Sequence, residues 1–538
     1  MLRRLTSHIT AISRIFKDSF LQQQEKAFIA HMRTHTPVWE MDPNAEILCQ
    51  MPWDYGFLVK FCHVAPWLAA KHRAEIRLTT LWISAEIDGG SMRSNLIQRL
   101  VHNSWAERKW QRLYESFGGA PGPTNRRKNL SLAAKRQATN QFHALQSKDD
   151  VLALNIHNLP AGDLIYDTYL RFRPAPTVDI RDPFLLALIS SAWEVAENYN
   201  EYLDTHKVRA LLTSYTSYIH HGLPARICLA RNIPVLSMGR NDPLLKQVTV
   251  DFPSHARAHF HYPQLFASLP DHQSKREAGR AVLESRFQGQ IDQATSYMRT
   301  SAFAGGSVSK PFDDGDPRPR ALVLLHCFFD SPHIYRDMLF PDFYEWLEFT
   351  LTTAARSNAR FYVKPHPNAM PGNAAIVADF QRRHPHVTFL DAKTSNRAVI
   401  AQGVEAIFTV YGTCAHEFPW FGIPAACAGD NPHIGYAFAQ TAKSREEYAA
   451  WILNPGALRK PDSAEDRHQI EEFAYMHGLY AGGGRTEMPD PFHLTTCPVD
   501  PNTPEFLAWQ IENRPDPADA AVRTLLDLAH DDSLLHRL

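Results

Sequence analysis

ARFYVKPHPNAMPG at residues 359–372 and GVEAIFTVYGTCAHEFPWFGIPAACAGDNPH at residues 403–433 contain the residues that decide the fold. Two short apolar runs, Phe361–Val363 and Ala406–Val410, end in turn-forming residues, a pattern typical of buried parallel strands. Open α/β sheets bind their ligands outside the carboxyl ends of the strands. The residues after these runs are therefore expected at a ligand site, and their chemistry suits an anion such as a nucleotide phosphate: Lys364, His366, Gly412 and Thr413.

The composition is that of an ordinary globular protein, with 44% hydrophobic and 21% charged residues. A net charge of −1 argues against a nucleic-acid binder that relies on bulk charge. The sequence has neither an apolar run of about 18 residues nor the apolar centre of a signal peptide. Its seven cysteines form no C-x-x-C pair, as in a reduced protein. We expect a cytoplasmic location, with peripheral association with the inner membrane left open.

Strand-like and helix-like stretches alternate along most of the chain, which predicts an α/β fold. We expect two Rossmann-like lobes facing a central cleft, with helical N- and C-terminal extensions. The divisions are an amphipathic helix at 1–40, a first lobe at 41–300 with a basic insertion at 121–141, a linker at 301–319, a second lobe at 320–460 and a helical tail at 461–538. The first helix either lies on a membrane surface or packs on the protein. The insertion is either a mobile loop that contacts an anionic partner or a solvated surface segment.

The tetrapeptide Lys364-Pro365-His366-Pro367 carries phosphate-binding chemistry. Lys is a compact cation, and a His ring nitrogen can donate a hydrogen bond. The prolines fix the backbone on either side of His366 and direct its side chain. A surface turn with an incidental His is the alternative.

The segment Tyr411-Gly412-Thr413 precedes a predicted helix. Gly412 permits a sharp turn, and Thr413 is a good N-cap for a helix whose N–H groups would face a phosphate. Glu417 would contact ribose hydroxyls or cap the helix. Two further loops are expected at the same sheet edge, one after the strand at 321–325 and one after the strand at 425–428, and they contribute His326, Asp330, Ser331, Asp430 and Asn431.

Metal and cofactor motifs are absent or misplaced. There is no Walker A loop and no G-x-G-x-x-G after a strand, and HEFPW lacks the second His of a zincin. Asp314-Gly315-Asp316 matches a metal-binding pattern, but it lies in the proline-rich linker. We expect neither a bound metal nor a cofactor.

With these motifs in place, the region from about 320 to 450 resembles the capsule polysaccharide biosynthesis proteins. These are bacterial glycosyltransferases of GT-B architecture, related to enzymes that transfer Kdo or sialic acid from CMP. The resemblance extends more weakly to the segments 163–171 and 215–239.

The resemblance implies a nucleotide-sugar donor in the second lobe, with a CMP-linked sugar favoured, and a glycan or glycolipid acceptor in the first. It assigns contacts with the donor's phosphate to His366, Pro367 and Thr413. It also implies that Glu417 corresponds to the glutamate that the family has on the helix after this loop. It also implies metal-independent transfer to a capsule or lipopolysaccharide glycan.

The residues point less clearly to the general base that would remove the proton of the acceptor's hydroxyl group. For an inverting transfer we expect it on the first lobe, with Asp54 as the first candidate and Asp88 as the second; capping or turn roles are the alternative for both. Other functions on the same scaffold stay open: a CDP-polyol phosphotransferase, a UDP-sugar epimerase, or a non-catalytic nucleotide- or glycan-binding module of an export assembly.

Overall fold

The structure is a computed structural model, and it describes residues 20–84, 96–125, 130–239, 245–256, 259–291, 300–304, 312, 315–368, 370–480, 497–513 and 516. It divides into two compact units. The first comprises residues 1–168, 180–255 and 490–536, and the second comprises residues 169–179, 256–489 and 537–538.

The first unit is built on a six-stranded sheet with the strand order β3-β2-β1-β6-β7-β8. All neighbours are parallel except β7 and β8, which are antiparallel. A separate antiparallel pair is formed by β4 and β5. The strands are β1 (Ala45–Gln50), β2 (Glu75–Thr79), β3 (Gly119–Pro121), β4 (Asn155–Ile156), β5 (Leu159–Pro160), β6 (Lys207–Thr213), β7 (Val235–Met238) and β8 (Leu245–Val248).

The second unit contains an all-parallel six-stranded sheet with the order β11-β10-β9-β12-β13-β14. Its strands are β9 (Arg320–Leu324), β10 (Arg360–Lys364), β11 (Thr388–Phe389), β12 (Ala406–Thr409), β13 (Ala425–Cys427) and β14 (Ala439–Thr441). Numbered within each unit, both sheets have the order 3-2-1-4-5-6 of a dinucleotide-binding fold. The prediction of an α/β fold with two Rossmann-like sheets is confirmed.

The helices of the described residues are, in chain order, α1 (Gln23–His35), α2 (Tyr55–His72), α3 (Leu96–Glu115), α4 (Leu132–Ala144), α5 (Lys148–Leu152), α6 (Gly162–Phe172), α7 (Pro183–Thr205), α8 (Leu223–Ala230), α9 (Tyr262–Ser268), α10 (His272–Phe287), α11 (Phe343–Ala354), α12 (Asn373–Arg383), α13 (Asn396–Ala401), α14 (Cys414–Glu417), α15 (Arg445–Leu453), α16 (Ala464–Ala474) and α17 (Glu505–Asn513). Single π-helical turns lie at Tyr218–Gly222 and Tyr475–Tyr480. Short 3₁₀ turns lie at His259–His261, Pro332–Ile334, Pro419–Phe421 and Pro455–Ala457.

The residue types in the strands explain why the strands are buried. Strands β9, β10, β12 and β13 are apolar and buried along nearly their whole length, as expected for parallel strands covered on both faces. Helix α2 is buried from Tyr55 to Ala69 and packs against β1. Asp54 begins this helix by accepting a hydrogen bond from Phe57 N at 3.0 Å. Arg73 ends it in the left-handed conformation.

Three segments concern the predicted divisions of the chain, which stay predictions. The basic insertion at 121–141 is in its latter half the helix α4, which packs on α7 through Ala134, Ala138 and Phe142, spaced four residues apart; residues 126–129 lie outside the described residues. The N-terminal residues 1–19 are also outside them, and α1 packs in the first unit's core through Phe28 and Met32. Helix α10 contacts α16 within the second unit, although it precedes the linker at 301–319.

Candidate functional site

The carboxyl ends of β9, β10 and β12 are neighbours in the second unit's sheet, and the strand order reverses between β9 and β12. His326 follows β9, Lys364 ends β10, and the segment 411–413 follows β12. This is the position where open α/β sheets bind ligands. The structure therefore brings together the polar segments that the sequence placed at one edge.

Lys364 is buried, with only 2% of its surface exposed. Neither a hydrogen bond nor an ion pair of its ammonium group is found among the described residues. Burial lowers its pKa from 10.5 to about 8, and the neighbouring carboxylate of Glu417 opposes this shift. The group stays protonated near neutral pH, so the interior holds a cation that an incoming anion can neutralise.

His366 is oriented by its own loop. The backbone N–H of Asn368 donates to Nδ1 at 3.1 Å. Because Nδ1 accepts, the proton of the neutral ring lies on Nε2. Burial lowers the pKa of His366, Lys364 lowers it further, and Asp330 opposes both. His366 therefore acts near neutral pH as a hydrogen-bond donor through Nε2, for which no partner is found in the described part of the chain.

The loop after β12 offers backbone donors. Among the described residues no acceptor is found for the N–H groups of Gly412 and Thr413. A side chain at Gly412 would crowd the loop, since a Cβ there would lie 3.0 Å from Cys414 Sγ and 3.2 Å from Thr409 Oγ1. The expectation that Thr413 caps a helix is wrong, because its own backbone is helical and its side chain makes no capping bond. Helix α14 has only four residues.

The ring of His326 holds the loop after β12 in place. Its Nε2 accepts from Val410 N at 3.3 Å and lies 3.1 Å from Thr409 Oγ1. Its ring stacks on Phe343 at 4.6 Å. Burial is the main cause that lowers its pKa to about 3, and the electrostatic influence of the nearby His366 acts in the same direction. The structure makes His326 a neutral residue that holds the loop, and its predicted contact with a donor stays a prediction.

The residues just beyond β9 connect to the same loop. Asp330 is exposed, and its Oδ1 accepts from Ser331 N at 3.0 Å. The Tyr411 hydroxyl donates to the carbonyl of Ser331 at 3.2 Å. Pro367 is partly buried directly after His366. Ser331 and Tyr411 thus join the two loops on either side of the strand-order reversal.

Glu417 is buried beside a cation that sequence reasoning missed. Arg286 on α10 lies 3.4 Å from its Oε1. Arg286 Nη1 also donates to His416 Nε2 at 2.9 Å, so His416 Nδ1 carries the proton and donates to His433 Nε2 at 3.0 Å. Burial lowers the pKa of both histidines, that of His433 to about 3. The predicted ribose contact of Glu417 stays a prediction.

Asp430 and Asn431 are buried and fix the loop after β13. Asp430 Oδ1 lies 3.3 Å from His259 Nε2, and Asn431 Nδ2 donates to Thr441 Oγ1 at 2.8 Å. Burial raises the pKa of Asp430, but the bond to His259 and the neighbouring charges outweigh it and lower the pKa overall. Gly429 has φ 149°, and a Cβ there would lie 3.1 Å from a backbone atom of the 337–338 segment.

The predicted base candidates lie in the first unit's sequence. Asp54 is the N-cap of α2, as described above. Asp88 lies outside the described residues. Their roles as bases stay predictions.

Among the described residues no group of three or more His, Cys, Asp or Glu side chains could hold a metal ion. Asp316 is paired with Arg318 at 2.6 Å, and this hydrogen bond lowers its pKa to about 2; Asp314 lies outside the described residues. No helix in the described ranges is long and apolar enough to cross a membrane.

Neither a scan against protein-family models nor a search of curated proteins found a match. Solved structures with some similarity include Thermosulfurimonas dismutans KpsC, a beta Kdo 2,4 transferase, at 14% identity and a TM-score of 0.30, covering 50% of this chain and 79% of that one. The beta Kdo 2,7 transferase of the same organism's KpsC is 12% identical with a TM-score of 0.26, covering 52% and 89%.

Neisseria meningitidis UDP-GlcNAc 2-epimerase bound to UDP-GlcNAc is 10% identical with a TM-score of 0.23, covering 80% of this chain and 99% of that one. At these TM-scores we take neither the fold nor the activity of this chain from the similarity.

Proposed function

We propose that the chain is a glycosyltransferase that transfers a sugar from a nucleotide-sugar donor to a bacterial surface glycan. The donor's phosphate binds at the carboxyl ends of β9, β10 and β12. One observation carries this proposal: Lys364 is a buried ammonium group without a partner among the described residues, at the reversal of the strand order. A buried charge normally needs a counter-charge, and an anionic ligand supplies it.

The number of charges favours a single phosphate. Among the described residues, the site offers Lys364 as its cation, the neutral Nε2–H donor of His366, and the backbone N–H groups of Gly412 and Thr413. The carboxylate of Glu417 reduces the positive potential further. A CMP-linked sugar carries one phosphodiester charge, whereas UDP- and GDP-linked sugars carry two. We therefore favour a CMP-linked donor.

The same groups act on the leaving phosphate. When the bond between the anomeric carbon and the phosphate oxygen breaks, negative charge grows on that oxygen. Lys364 and the His366 N–H stabilise this charge, and they are already positioned before reaction. His326 and Tyr411 keep the backbone donors of the 411–413 loop in place.

The test is a thermal-shift screen of the full chain against CMP, CDP, UDP and GDP, with His366→Ala measured alongside. A ligand that binds only the folded state raises the melting temperature. We expect CMP to give the largest shift and His366→Ala to lose most of it. No shift with any nucleotide overturns the proposed site. A larger shift with UDP or GDP keeps the site and redirects the donor to a hexose.

Product analysis separates the remaining functions. With the nucleotide sugar that the screen selects, we expect glycosidic transfer or hydrolysis that survives EDTA. A phosphodiester product indicates a polyol phosphotransferase, and an isomerised nucleotide sugar indicates an epimerase. Binding without turnover indicates a binding module.

A further inference from the structure

Helix α10 brings a second buried cation to the residues around Lys364. Arg286, the last residue but one of this helix, is 5% exposed. Both hydrogens of its Nη1 have acceptors, because this atom donates to His416 Nε2 at 2.9 Å and to Glu417 Oε1 at 3.4 Å. The dipole of a helix also stabilises a cation at the C-terminus. Arg286 is therefore a cation in a fixed position beside the carboxylate of Glu417.

Close packing holds α10 in place at both of its ends. A Cβ at Gly279 would lie 2.1 Å from the backbone carbonyl oxygen of Glu471, so a side chain there would prevent this approach of α10 to α16. At the C-terminal end, the ring of Phe287 lies 4.8 Å from that of Phe421. Phe421 follows Glu417 by four residues. These contacts fix the end of α10 relative to the segment that carries the carboxylate.

The carboxylate of Glu417 acts on the charge of Lys364 as well. It is 4% exposed, and the low dielectric of the interior lets its charge act over a distance. Burial lowers the pKa of Lys364, and Glu417 opposes this shift. Burial and Glu417 raise the pKa of the Cys414 thiol to about 12, whereas Lys364 opposes them. The loop after β12 therefore experiences both charges.

The other ionisable groups around this edge do not change the charge balance. His366 and His416 are neutral near pH 7, because burial is the main cause that lowers the pKa of both. Asp330 is exposed, so water and salt screen its charge. Asp430 has its own cation, with Arg336 Nε at 3.6 Å from its Oδ2.

Three buried charges remain at this site among the described residues, and they sum to one positive charge: the cations Lys364 and Arg286 and the anion Glu417. Lys364 and Glu417 alone would cancel, and a phosphate would gain little from them. Lys364 and Arg286 alone would present two positive charges and would favour a pyrophosphate. At an effective dielectric constant of about 20, one unit charge about 10 Å away changes the affinity for an anion by about tenfold or more.

We propose that the pair of Arg286 and Glu417 sets the charge selectivity of the donor site, which favours a single phosphate group over a pyrophosphate. Arg286 is a positioning residue, since it acts through Glu417 and through the total charge rather than by contact with the ligand. Glu417 contributes its negative charge. This inference rests on the proposed function, in which the anion is the phosphate of a nucleotide-sugar donor.

The experiment is titration calorimetry of the full chain with two pairs of probes, CMP with CDP and inorganic phosphate with pyrophosphate. The second member of each pair has one more phosphate group, and the inorganic pair has no ribose. The variants are Glu417→Gln, Arg286→Met and the double variant that combines them. In the double variant, Lys364 alone again supplies one buried positive charge.

The same helix offers a matched control pair. Arg280 Nη2 lies 2.8 Å from Glu471 Oε1, and Arg280 precedes Arg286 by six residues, or about 9 Å along the helix axis. Arg280→Met and Glu471→Gln therefore remove the same kinds of charge from a more distant ion pair.

We expect wild type to bind CMP more tightly than CDP. Glu417→Gln should shift this ratio of affinities about tenfold toward CDP, and Arg286→Met should shift it about tenfold in the opposite direction. The double variant should return the ratio to near the wild-type value, and the control variants should keep it. Phosphate and pyrophosphate should follow the same pattern. Recovery in the double variant identifies an electrostatic role, because two structural defects would not cancel.

An equal ratio in wild type and all folded variants overturns the inference, and so does a wild type that prefers CDP. If Arg286→Met does not fold, Glu417→Gln and the double variant decide. An equal loss of CMP and CDP affinity in Glu417→Gln, with phosphate and pyrophosphate unchanged, identifies a ribose contact; it overturns the inference and leaves the proposed function intact.

The inorganic probes separate this inference from the proposed function. Phosphate binding that follows the charges of the variants, together with no binding of any nucleotide, upholds the charge selectivity and refutes the proposed function. No binding of any of the four probes overturns both.

Discussion

Replacing Lys364 with Met should stabilise the fold near pH 7 and remove nucleotide binding at the same time. Most changes that damage a binding site leave stability unchanged or lower it. Here the two effects have opposite signs because the same ammonium group is costly to bury and useful to the ligand. Met has a similar length and no charge, so it fills the space without the cost.

The magnitude follows from the pKa. Burial lowers the pKa of Lys364 from 10.5 to about 8, and each pKa unit corresponds to about 1.4 kcal/mol. The charged form therefore costs about 3 kcal/mol in the folded state near neutral pH. For a unit of about 250 residues this corresponds to roughly 6 °C or more in melting temperature.

The pH dependence gives a second check. The folded-state pKa lies below the unfolded value, so the unfolded chain holds more protons between the two pKa values. Wild-type stability from this group therefore rises with pH over that window. The advantage of Lys364→Met should fall from about 3 kcal/mol near pH 7 to about 2 near pH 9 and below about 1 near pH 10.

The assay is thermal unfolding of wild type and Lys364→Met near pH 7, 9 and 10, with and without CMP. Lys60→Met is the matched control, because Lys60 is equally buried but donates to the carbonyl of Gly239 at 2.8 Å. We expect Lys60→Met to destabilise the chain, since a buried hydrogen bond is lost. A lower melting temperature for Lys364→Met near pH 7, combined with an intact CMP shift, would refute the reasoning.

Four further results are expected. Gly412→Ala places a Cβ 3.0 Å from Cys414 Sγ and within the loop that would contact the phosphate, so we expect crowding of the ligand side of the loop to lower CMP affinity by calorimetry about tenfold; unchanged affinity would show that this loop does not contact phosphate. His366→Gln keeps an N–H donor near the position of Nε2 and should retain CMP affinity within about threefold, whereas His366→Ala should lose about tenfold; equal affinities would contradict the donor role. Asp54→Ser preserves the helix cap, so a stable variant that no longer transfers sugar identifies a base, and one that still transfers excludes it. His326 has a folded-state pKa of about 3, below its usual 6.5, so the unfolded state binds more protons and the contribution of this ring to stability should fall by about 2 kcal/mol from near pH 7 to near pH 5; a melting temperature that is constant over this range would be inconsistent with a ring that stays neutral in the folded state.

The sheet of the second unit was predictable because its signals are local. Short apolar runs that end in Pro or Gly mark β10 and β12, and the observed bounds differ from the predicted ones by at most one residue at either end. In a parallel sheet the carboxyl ends of the strands lie at the same edge, and this does not depend on the length or position of the helices between them. The proximity of Lys364, His366 and Gly412 at this edge could therefore be predicted without knowledge of any long-range contact.

Other parts of the site depend on information that no local pattern carries. Arg286 reaches Glu417 across 131 positions of sequence, from a helix that precedes the linker. The expected helix after Thr413 ends after four residues because Pro419 has no N–H to continue the hydrogen-bond ladder. The protonated nitrogen of His366 is set by Asn368, and a sequence cannot show which backbone N–H finds which ring atom.

The histidines show why proton positions, rather than residue types, distinguish the two strand-order reversals. In the second unit, His366 presents a donor next to a buried cation, which suits an acceptor-only anion. In the first unit, the Nε2 atom of His221 presents a lone pair, whereas the Nε2 atom of His255 carries a proton. Both edges contain neutral imidazoles that are buried or partly buried, so composition alone would assign them the same ligand. A nucleotide that bound the first unit, or a neutral sugar that bound at Lys364, would show that these proton assignments do not determine ligand choice.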